Sequence, residues 1–385
     1  MSNPSLTFHE DFSGAGMVRI GLGAKWQCVR ACDIDPKKCG SYRQNFGAKH
    51  LIQGDVADIS VVASKSARLA WASFPCQDTS LAGGYAGLAG ERSGTFWSWC
   101  RVVEGMANAG KPYDILCIEN VRGLLTANAG TDFAAICEAL AKLGYSFGAA
   151  VIDASLFLPQ SRERLFLIGV RGPVELVKFA TSPEPNPFWH PESLLRAHKH
   201  LTKKARAQWF WLNLPTPPKK KISLRDIIEN NPKGVKWHTS EETKHLLGLM
   251  SKENRLKVEQ QKSHGKRTIG MVYKRTREGK VRAEIRFDGI AGCLRTATGG
   301  SSRQTVVIVE KNVVRSRLLA PREAARLMGL PDNYKLPVKY NDAYHLCGDG
   351  VAVPVVRFLA RQLFEPTLEN IDNQISKTSI LSSAE

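Results

Sequence analysis

Two residues in the first third of the chain are placed to do covalent chemistry. Cys76 follows Phe74 and Pro75 and precedes Gln77, Asp78, Thr79 and Ser80, just past an apolar run at 69–73. Glu119 and Asn120 stand at the end of a second apolar run, 115–119. If both runs are strands of an open α/β sheet, their ends share its ligand-binding edge. A thiolate is a strong, soft nucleophile, and a carboxyl group able to donate a proton could activate a ring that the thiolate attacks. A core cysteine and a strand-end carboxylate would leave the same trace, so these two residues alone leave both readings open.

A second pattern lies upstream. Residues 10–16 read as a strand end, a Ser13-Gly14-Ala15-Gly16 turn and the start of a helix, the way a doubly wound domain brings backbone close to a nucleotide. Asp33 follows about 20 residues later, at the end of the next strand, where a carboxylate accepts hydrogen bonds from ribose hydroxyls. The turn lacks the third glycine of a dinucleotide fingerprint, and no Lys-Ser/Thr follows as in a P-loop. A tight βα turn without a ligand is the alternative.

These residues need a scaffold, and the hydrophobic pattern supplies one. Strands are expected at 6–10, 27–34, 69–73, 115–119, 149–153 and 165–170, with helices such as 17–22 and 133–143 between them. That alternation predicts βαβ units, a mainly parallel sheet and an α/β class. Residues 181–191, TSPEPNPFWHP, hold four prolines in eleven and mark a domain boundary. Beyond it Trp209, Trp211, Trp237 and Tyr273 are scattered through a polar stretch. A Gly299-Gly300-Ser301-Ser302 turn precedes a strand at 305–309, and a helical pattern returns from Arg317 with Pro321 in its first turn. Residues after Pro366 read as polar and frayed.

Charge divides the chain more sharply than hydropathy does. The formal charge of the 385 residues is +18. Residues 1–195 carry 18 Lys/Arg and 18 Asp/Glu, whereas 196–282 carry 23 against 7, a net +16. Such a block favours a polyanionic partner, since neutralising phosphates releases counterions, although a solvated basic face would look the same. No run approaches the 18 apolar residues of a membrane span, and the first ten residues are too polar for a signal peptide. A soluble, cytoplasmic, monomeric protein is expected. The nine cysteines include no C-x-x-C pair, so no metal site is expected; Cys28, Cys32, Cys39 and His50 form the single grouping that keeps zinc in view.

Taken together, the motifs resemble those of the DNA (cytosine-5) methyltransferases, in that family's order and over nearly the whole chain. EDFSGAGM resembles the S-adenosylmethionine turn, DID the ribose acid region, GDV at 54–56 the adenine contact, and SFPCQDTS the catalytic cysteine loop. IENV at 118–121 resembles the glutamate motif, LPQSRER at 158–164 the Gln-x-Arg-x-Arg motif, and RLLAPREAARLMGLP the helix packing the recognition domain. YHLCGDGVAVPVV resembles the carboxyl-terminal cofactor motif.

The resemblance implies a Rossmann-like S-adenosylmethionine-dependent domain at 1–185 plus 317–385 and a smaller, basic target-recognition domain at 186–316, binding duplex DNA. It implies Cys76 as nucleophile, Glu119 as the partner of cytosine N3, and Arg162 and Arg164 as holders of the base and the catalytic loop. Cofactor contacts would come from Phe12, Ser13, Gly14, Ala15 and Gly16, from Asp33 and Ile34, from Asp55 and Val56, from Pro75 and Phe96, and from Asp349 and Gly350. Arg295, Arg303 and Gln304, around the Gly299 turn, are candidates to read bases; the turn is equally well a plain hairpin. The implied reaction is methyl transfer to C5 of a flipped-out cytosine through an adduct of Cys76 with C6.

Departures from the family pattern are few. Glu10 stands where Asp is commoner, Met17 replaces a glycine, Asp349-Gly350 sits where Gly-Asn is usual, and Phe157-Leu158 replaces small residues. None removes a catalytic group. The absence of a long regulatory extension points to a modification-type enzyme. A tRNA cytosine-5 methyltransferase on the same fold and a catalytically silent DNA-binding regulator are the alternatives; the size of the basic block argues against the first, and the intact Cys76, Glu119, Arg162 and Arg164 against the second.

Overall fold

Short apolar runs in the first half of the chain become strands β1 (Thr7–Asp11), β2 (Gln27–Asp33), β3 (Leu51–Gln53), β4 (Leu69–Ala72), β5 (Ile115–Val121), β6 (Tyr145–Asp153) and β7 (Glu163–Arg171) of one sheet, in the order β3-β2-β1-β4-β5-β7-β6. The computed structural model describes residues 6–75, 94–219, 221–277, 279–295 and 303–382. Pairing is parallel from β3 through β5, while β7 runs antiparallel to β5. All four residues of β4 and the first six of β5 are buried, as expected of strands covered on both faces. The α/β class read from the sequence is the one found. Strand β3, three residues long and partly exposed, is too short to leave a periodic signal.

Helices α1 (Met17–Leu22), α2 (Pro36–Phe46), α3 (Thr95–Asn108) and α4 (Thr131–Lys142) connect these strands. α2 starts where its sequence dictates: Asp35 accepts hydrogen bonds from the backbone N–H of Lys37 and Lys38, and Pro36 occupies the first turn. α3 sets Phe96, Trp99, Val102, Val103 and Met106 into the core, and α4 adds Phe133, Ile136, Cys137 and Leu140. The chain leaves β1 toward β2 and β3 on one side and returns to β4 and β5 on the other. This reversal opens a crevice at the carboxyl ends of β1 and β4, where such sheets take their ligands.

Contacts divide the chain into two units, Met1–Ile152 with Glu163–Pro217 and Val355–Glu385, and Asp153–Arg162 with Pro218–Pro354. Residues 186–217, expected in the recognition segment, therefore belong with the sheet. Their apolar side chains need its core: Trp189 donates its indole N–H to the Leu214 carbonyl at 2.8 Å, and Phe210 bonds backbone to backbone with Phe147. Trp209 and Trp211 pack against each other and against His198. Strands β8 (Thr181–Ser182) and β9 (Trp211–Leu212) form a small ribbon there. The tail expected to fray instead forms helix Glu365–Ser382. Thr367 and Leu368 are fully buried, Asp372 pairs with Arg68 at 2.8 Å, and Asn370 donates to the Leu176 carbonyl.

The second unit is built on an antiparallel sheet of β10 (Thr268–Arg277), β11 (Lys280–Arg286), β12 (Thr305–Glu310) and β13 (Val313–Leu318), in the order β11-β10-β12-β13. Helices Ser240–Gly248 and Lys252–Ser263 contribute Leu246 and Val258 to its core beside Val272, Ile285, Val307 and Val309. Arg317 and Leu318, read as a helix start, end β13; the helix begins at Pro321. Arg317 is fully buried and forms an ion pair at 2.6 Å with the equally buried Glu323, whose other oxygen accepts from the N–H of Ala320. Residues 317–354 are thereby tied to this unit rather than to the sheet domain.

Candidate active site

At the end of β1 the backbone turns through Phe12 at φ 60°, a left-handed conformation costly for a bulky residue and found mostly at functional sites. Asp33, at the end of β2, holds this turn: its carboxylate accepts from the N–H of Gly14 at 2.7 Å and from that of Asp35 at 2.8 Å. Two such bonds leave a carboxylate with lone pairs for a hydroxyl pair. Burial raises the Asp33 carboxyl above the usual range. Gly14 (φ 53°) faces open space, with no atom within 4 Å of where a Cβ would stand. Gly16 (φ 78°) differs: a Cβ there would lie 2.4 Å from the Phe46 ring, so this glycine serves packing and Gly14 serves approach.

Glu10 is buried beneath the turn and accepts from the N–H of Val18 at 3.2 Å, capping α1 in place of the missing N-cap side chain. Burial pushes its carboxyl up to about 8. Its Oε2 and the hydroxyl of Ser13 are buried without a hydrogen-bond partner. Ile34 is 67% exposed at the same edge, a large apolar side chain lying open next to Asp33. Asp55 caps a short turn through the N–H of Ala57, Val56 is buried in the core, and Phe12 packs edge-to-face on Phe74, which in turn lies tilted against Phe96. Ala15 is buried beside them and Pro75 is exposed.

Behind this edge lies a polar cluster that sequence reading missed. Asp11 and Arg30 form a buried, two-pronged pair at 2.8 and 3.1 Å; the Trp99 indole donates to Asp11, and Arg30 also donates to Ser64 and Tyr113. Tyr113 shares a hydrogen bond with His9, which burial and the neighbouring guanidinium keep neutral by pushing it down to about 2. A buried charge is tolerated only when paired and fully bonded, and this one sits one residue before the strained Phe12. Asp11 adjoins the glycine turn in sequence, but nothing local pairs it with Arg30.

Farther along the edge, Glu119 stands two residues before the end of β5 with its carboxylate 3.2 Å from Arg164 Nε, both largely buried. The parallel runs of the sequence motifs thus converge: register sets Glu119 opposite Phe166 and Val121 opposite Arg164. Asn120 donates to the Phe74 carbonyl at 3.3 Å and accepts from the N–H of Val121, tying β5 to the segment two residues before Cys76. Cys76 itself lies outside the described residues. So does the Gly299–Ser302 turn.

In the second unit Arg162 does something else. Its guanidinium donates to the carbonyls of Leu294, Gly348 and Gly350 at 2.6–2.9 Å, and it is 2% exposed. Gln160 bonds the backbone of Leu294 and Leu327. Arg162 is therefore a clasp on three backbone carbonyls. Phe157 and Leu158 are accommodated in a short turn at Ala154–Leu156 that Asp153 caps. Asp349 ends helix Tyr340–Asp349 and is exposed, with Gly350 after it. Arg295 is exposed. Arg303 bonds Asn341 and lies over the Tyr340 ring, whereas Gln304 is only 4% exposed and packs on Gly292. A side chain so enclosed does not present itself to a base edge.

No helix among the described residues is long and apolar enough to cross a membrane. The family model described as C-5 cytosine-specific DNA methylase matches residues 6–365. The chain is 27% identical to the Type II methyltransferase M.BsuFI of Bacillus subtilis over 94% of this chain and 73% of that one, and 25% identical to M.BanI of Aneurinibacillus aneurinilyticus over 98% and 100%. Among solved structures it is similar to the Entamoeba histolytica methyltransferase EhMeth (TM-score 0.60, 14% identity, 95% and 99% covered) and the S. pombe Dnmt2 methyltransferase (TM-score 0.56, 17% identity, 94% and 98% covered), which shows the shared fold. With the family pattern running through both units and the glutamate and glycine-turn motifs meeting at one sheet edge, the chain belongs to the C-5 cytosine-specific DNA methylase family and is a DNA (cytosine-5-)-methyltransferase.

Proposed function

We propose that this protein transfers a methyl group from S-adenosylmethionine to C5 of a cytosine flipped out of duplex DNA, through a covalent bond between Cys76 and C6. The observation that carries the reading is the edge geometry: a carboxylate oriented by Arg164, next to an asparagine that holds the chain two residues before Cys76. The cofactor fits the residues present. Open space over Gly14, the Asp33 carboxylate, exposed Ile34 and the unpartnered Glu10 and Ser13 oxygens suit a nucleoside bearing a polar tail. Bound there, S-adenosylmethionine supplies an electrophilic methyl group.

The ring must be activated because C5 of cytosine is a poor nucleophile. The Cys76 thiolate adds to C6 while Glu119 delivers a proton to N3, which places an enamine across N3, C4 and C5. C5 then takes the methyl group. Loss of the C5 proton and β-elimination restore the ring, return the thiolate to Cys76 and the N3 proton to Glu119. Stacking hides C6 inside a duplex, so the base leaves the helix at a cost of a few kcal/mol. The part of the basic segment that falls in the second unit, 218–282, carries 18 Lys/Arg against 7 Asp/Glu, a net +11, and supports a DNA-gripping role for that unit.

Bisulfite sequencing of DNA from cells expressing the protein tests the reaction and reveals the target. Protected cytosines at one short sequence are the expected result. Methyl transfer to tRNA alone, in parallel assays on both substrates, would overturn the reading.

A further inference from the structure

The register of the second sheet leaves part of it unfinished. β10 pairs with β12 only from Thr268 to Val272; beyond that it pairs with β11 alone, from Tyr273 opposite Glu284 to Arg277 opposite Lys280. The distal halves of β10 and β11 therefore continue past the sheet as a two-stranded ribbon of five residue pairs, roughly 17 Å long. Within the described residues its flank is touched by the Leu249–Met250 segment at Ala283.

The charges on this ribbon oppose its own folding. Register sets Arg275 directly across from Arg282. Like charges directly opposite each other destabilise a pair. Strand alternation puts 275, 280 and 282 on one face, and all three residues are exposed. At the base of the same face the pattern reverses: Tyr273 bonds Glu284, and Arg286 is neutralised by Asp288 through two contacts near 3 Å. Among the described residues, no acid pairs with Arg275, Lys280 or Arg282, and Arg275 instead lies over the Tyr273 ring, 4.7 Å from its centroid. The sheet thus neutralises its cations where it ends and repeats them where the ribbon projects.

We propose that this ribbon is a phosphate clamp for duplex DNA, with Arg275, Lys280 and Arg282 neutralising backbone phosphates rather than reading bases. The assignment rests on the reading of the protein as a DNA methyltransferase. A duplex carries one negative charge per about 1.7 Å of axis, so a ribbon of this length faces several phosphates, and its major groove admits a two-stranded ribbon. The self-repulsion is relieved when those phosphates arrive.

The experiment measures binding of the full-length protein to a labelled duplex of mixed sequence and to one containing its methylated site, across a salt series. Arg275→Thr with Arg282→Thr should lower affinity by the same factor for both duplexes and reduce the slope of log affinity against log salt by about 2. Its urea midpoint without DNA should be unchanged or higher, which separates lost contacts from lost folding; Arg282→Lys should restore binding. Arg286→Thr, at a cation already neutralised, should leave the slope unchanged. Unaltered affinity and slope in the double variant, or a loss confined to the cognate duplex, would overturn the clamp. Failure of the unaltered protein to bind or methylate DNA would instead overturn the reading on which the clamp rests.

Discussion

The candidate active edge of the sheet domain and the β10–β11 ribbon treat charge in opposite ways. In the sheet domain, ionisable groups are buried and given fixed partners: Asp11 with Arg30, Glu119 with Arg164, Asp33 with two backbone N–H groups. On the β10–β11 ribbon, cations stand in solvent opposite one another. Bond-making chemistry needs orientation, and orientation needs a low-dielectric setting in which each polar atom has one place to be. Gripping a polyanion needs the reverse, charges still hydrated and free to give up counterions on contact. A substitution in the first region should therefore act on turnover or folding, and one in the second on salt-dependent affinity.

The largest effect expected is on chemistry. Cys76→Ala should abolish methyl transfer while leaving DNA affinity and its salt slope in place. Glu119→Gln should cut kcat by roughly 10²–10⁴ with cofactor binding retained, read by single-turnover assays and calorimetric titration. Normal turnover in either variant would break the contrast between the two regions at its strongest point.

Next comes folding. Arg30→Met strands the Asp11 carboxylate in the core and should lower stability by about 3–5 kcal/mol in urea unfolding, whereas Asp11→Leu combined with Arg30→Met should recover most of that loss. If the double variant is stable but binds S-adenosylmethionine more weakly, the pair positions the Phe12 turn as well as filling the core.

The remaining effect is a pH dependence, about 1.4 kcal/mol for each pH unit. The Glu10 carboxyl is pushed by burial from 4.5 to about 8, so the folded protein holds a proton there that the unfolded chain releases. Stability from this group is complete below about pH 4.5 and declines by about 1.4 kcal/mol per pH unit up to about pH 8. Glu10→Gln should flatten that decline; a decline of unchanged steepness would show that Glu10 is not its source.

Much of the active edge was legible in residue order because it is local. A glycine turn, an acid at the next strand end, a cysteine after Pro75 and a glutamate after a buried apolar run each announce themselves within a few residues. The buried Asp11–Arg30–Tyr113–His9 cluster did not, since it joins residues up to 104 apart and each of them alone looks like an ordinary polar residue. The β10–β11 hairpin was missed for another reason: its exposed positions carry so many cations that it reads as a solvated basic stretch. Yet its second strand alternates apolar and polar residues from Val281 to Phe287, a period-2 signal present in the sequence that was passed over.

What the sequence determined by itself was the α/β class, the family and the list of groups able to perform the reaction, because strand patterning and motif chemistry are properties of neighbouring residues. The tertiary structure decided how those groups are used. It made Arg162 a clasp on three carbonyls, buried Gln304, and moved 186–217 onto the sheet domain. The reason is physical: a side chain's role follows from which acceptors, charges and apolar surfaces lie within a few ångströms of it, and folding draws those from distant parts of the chain.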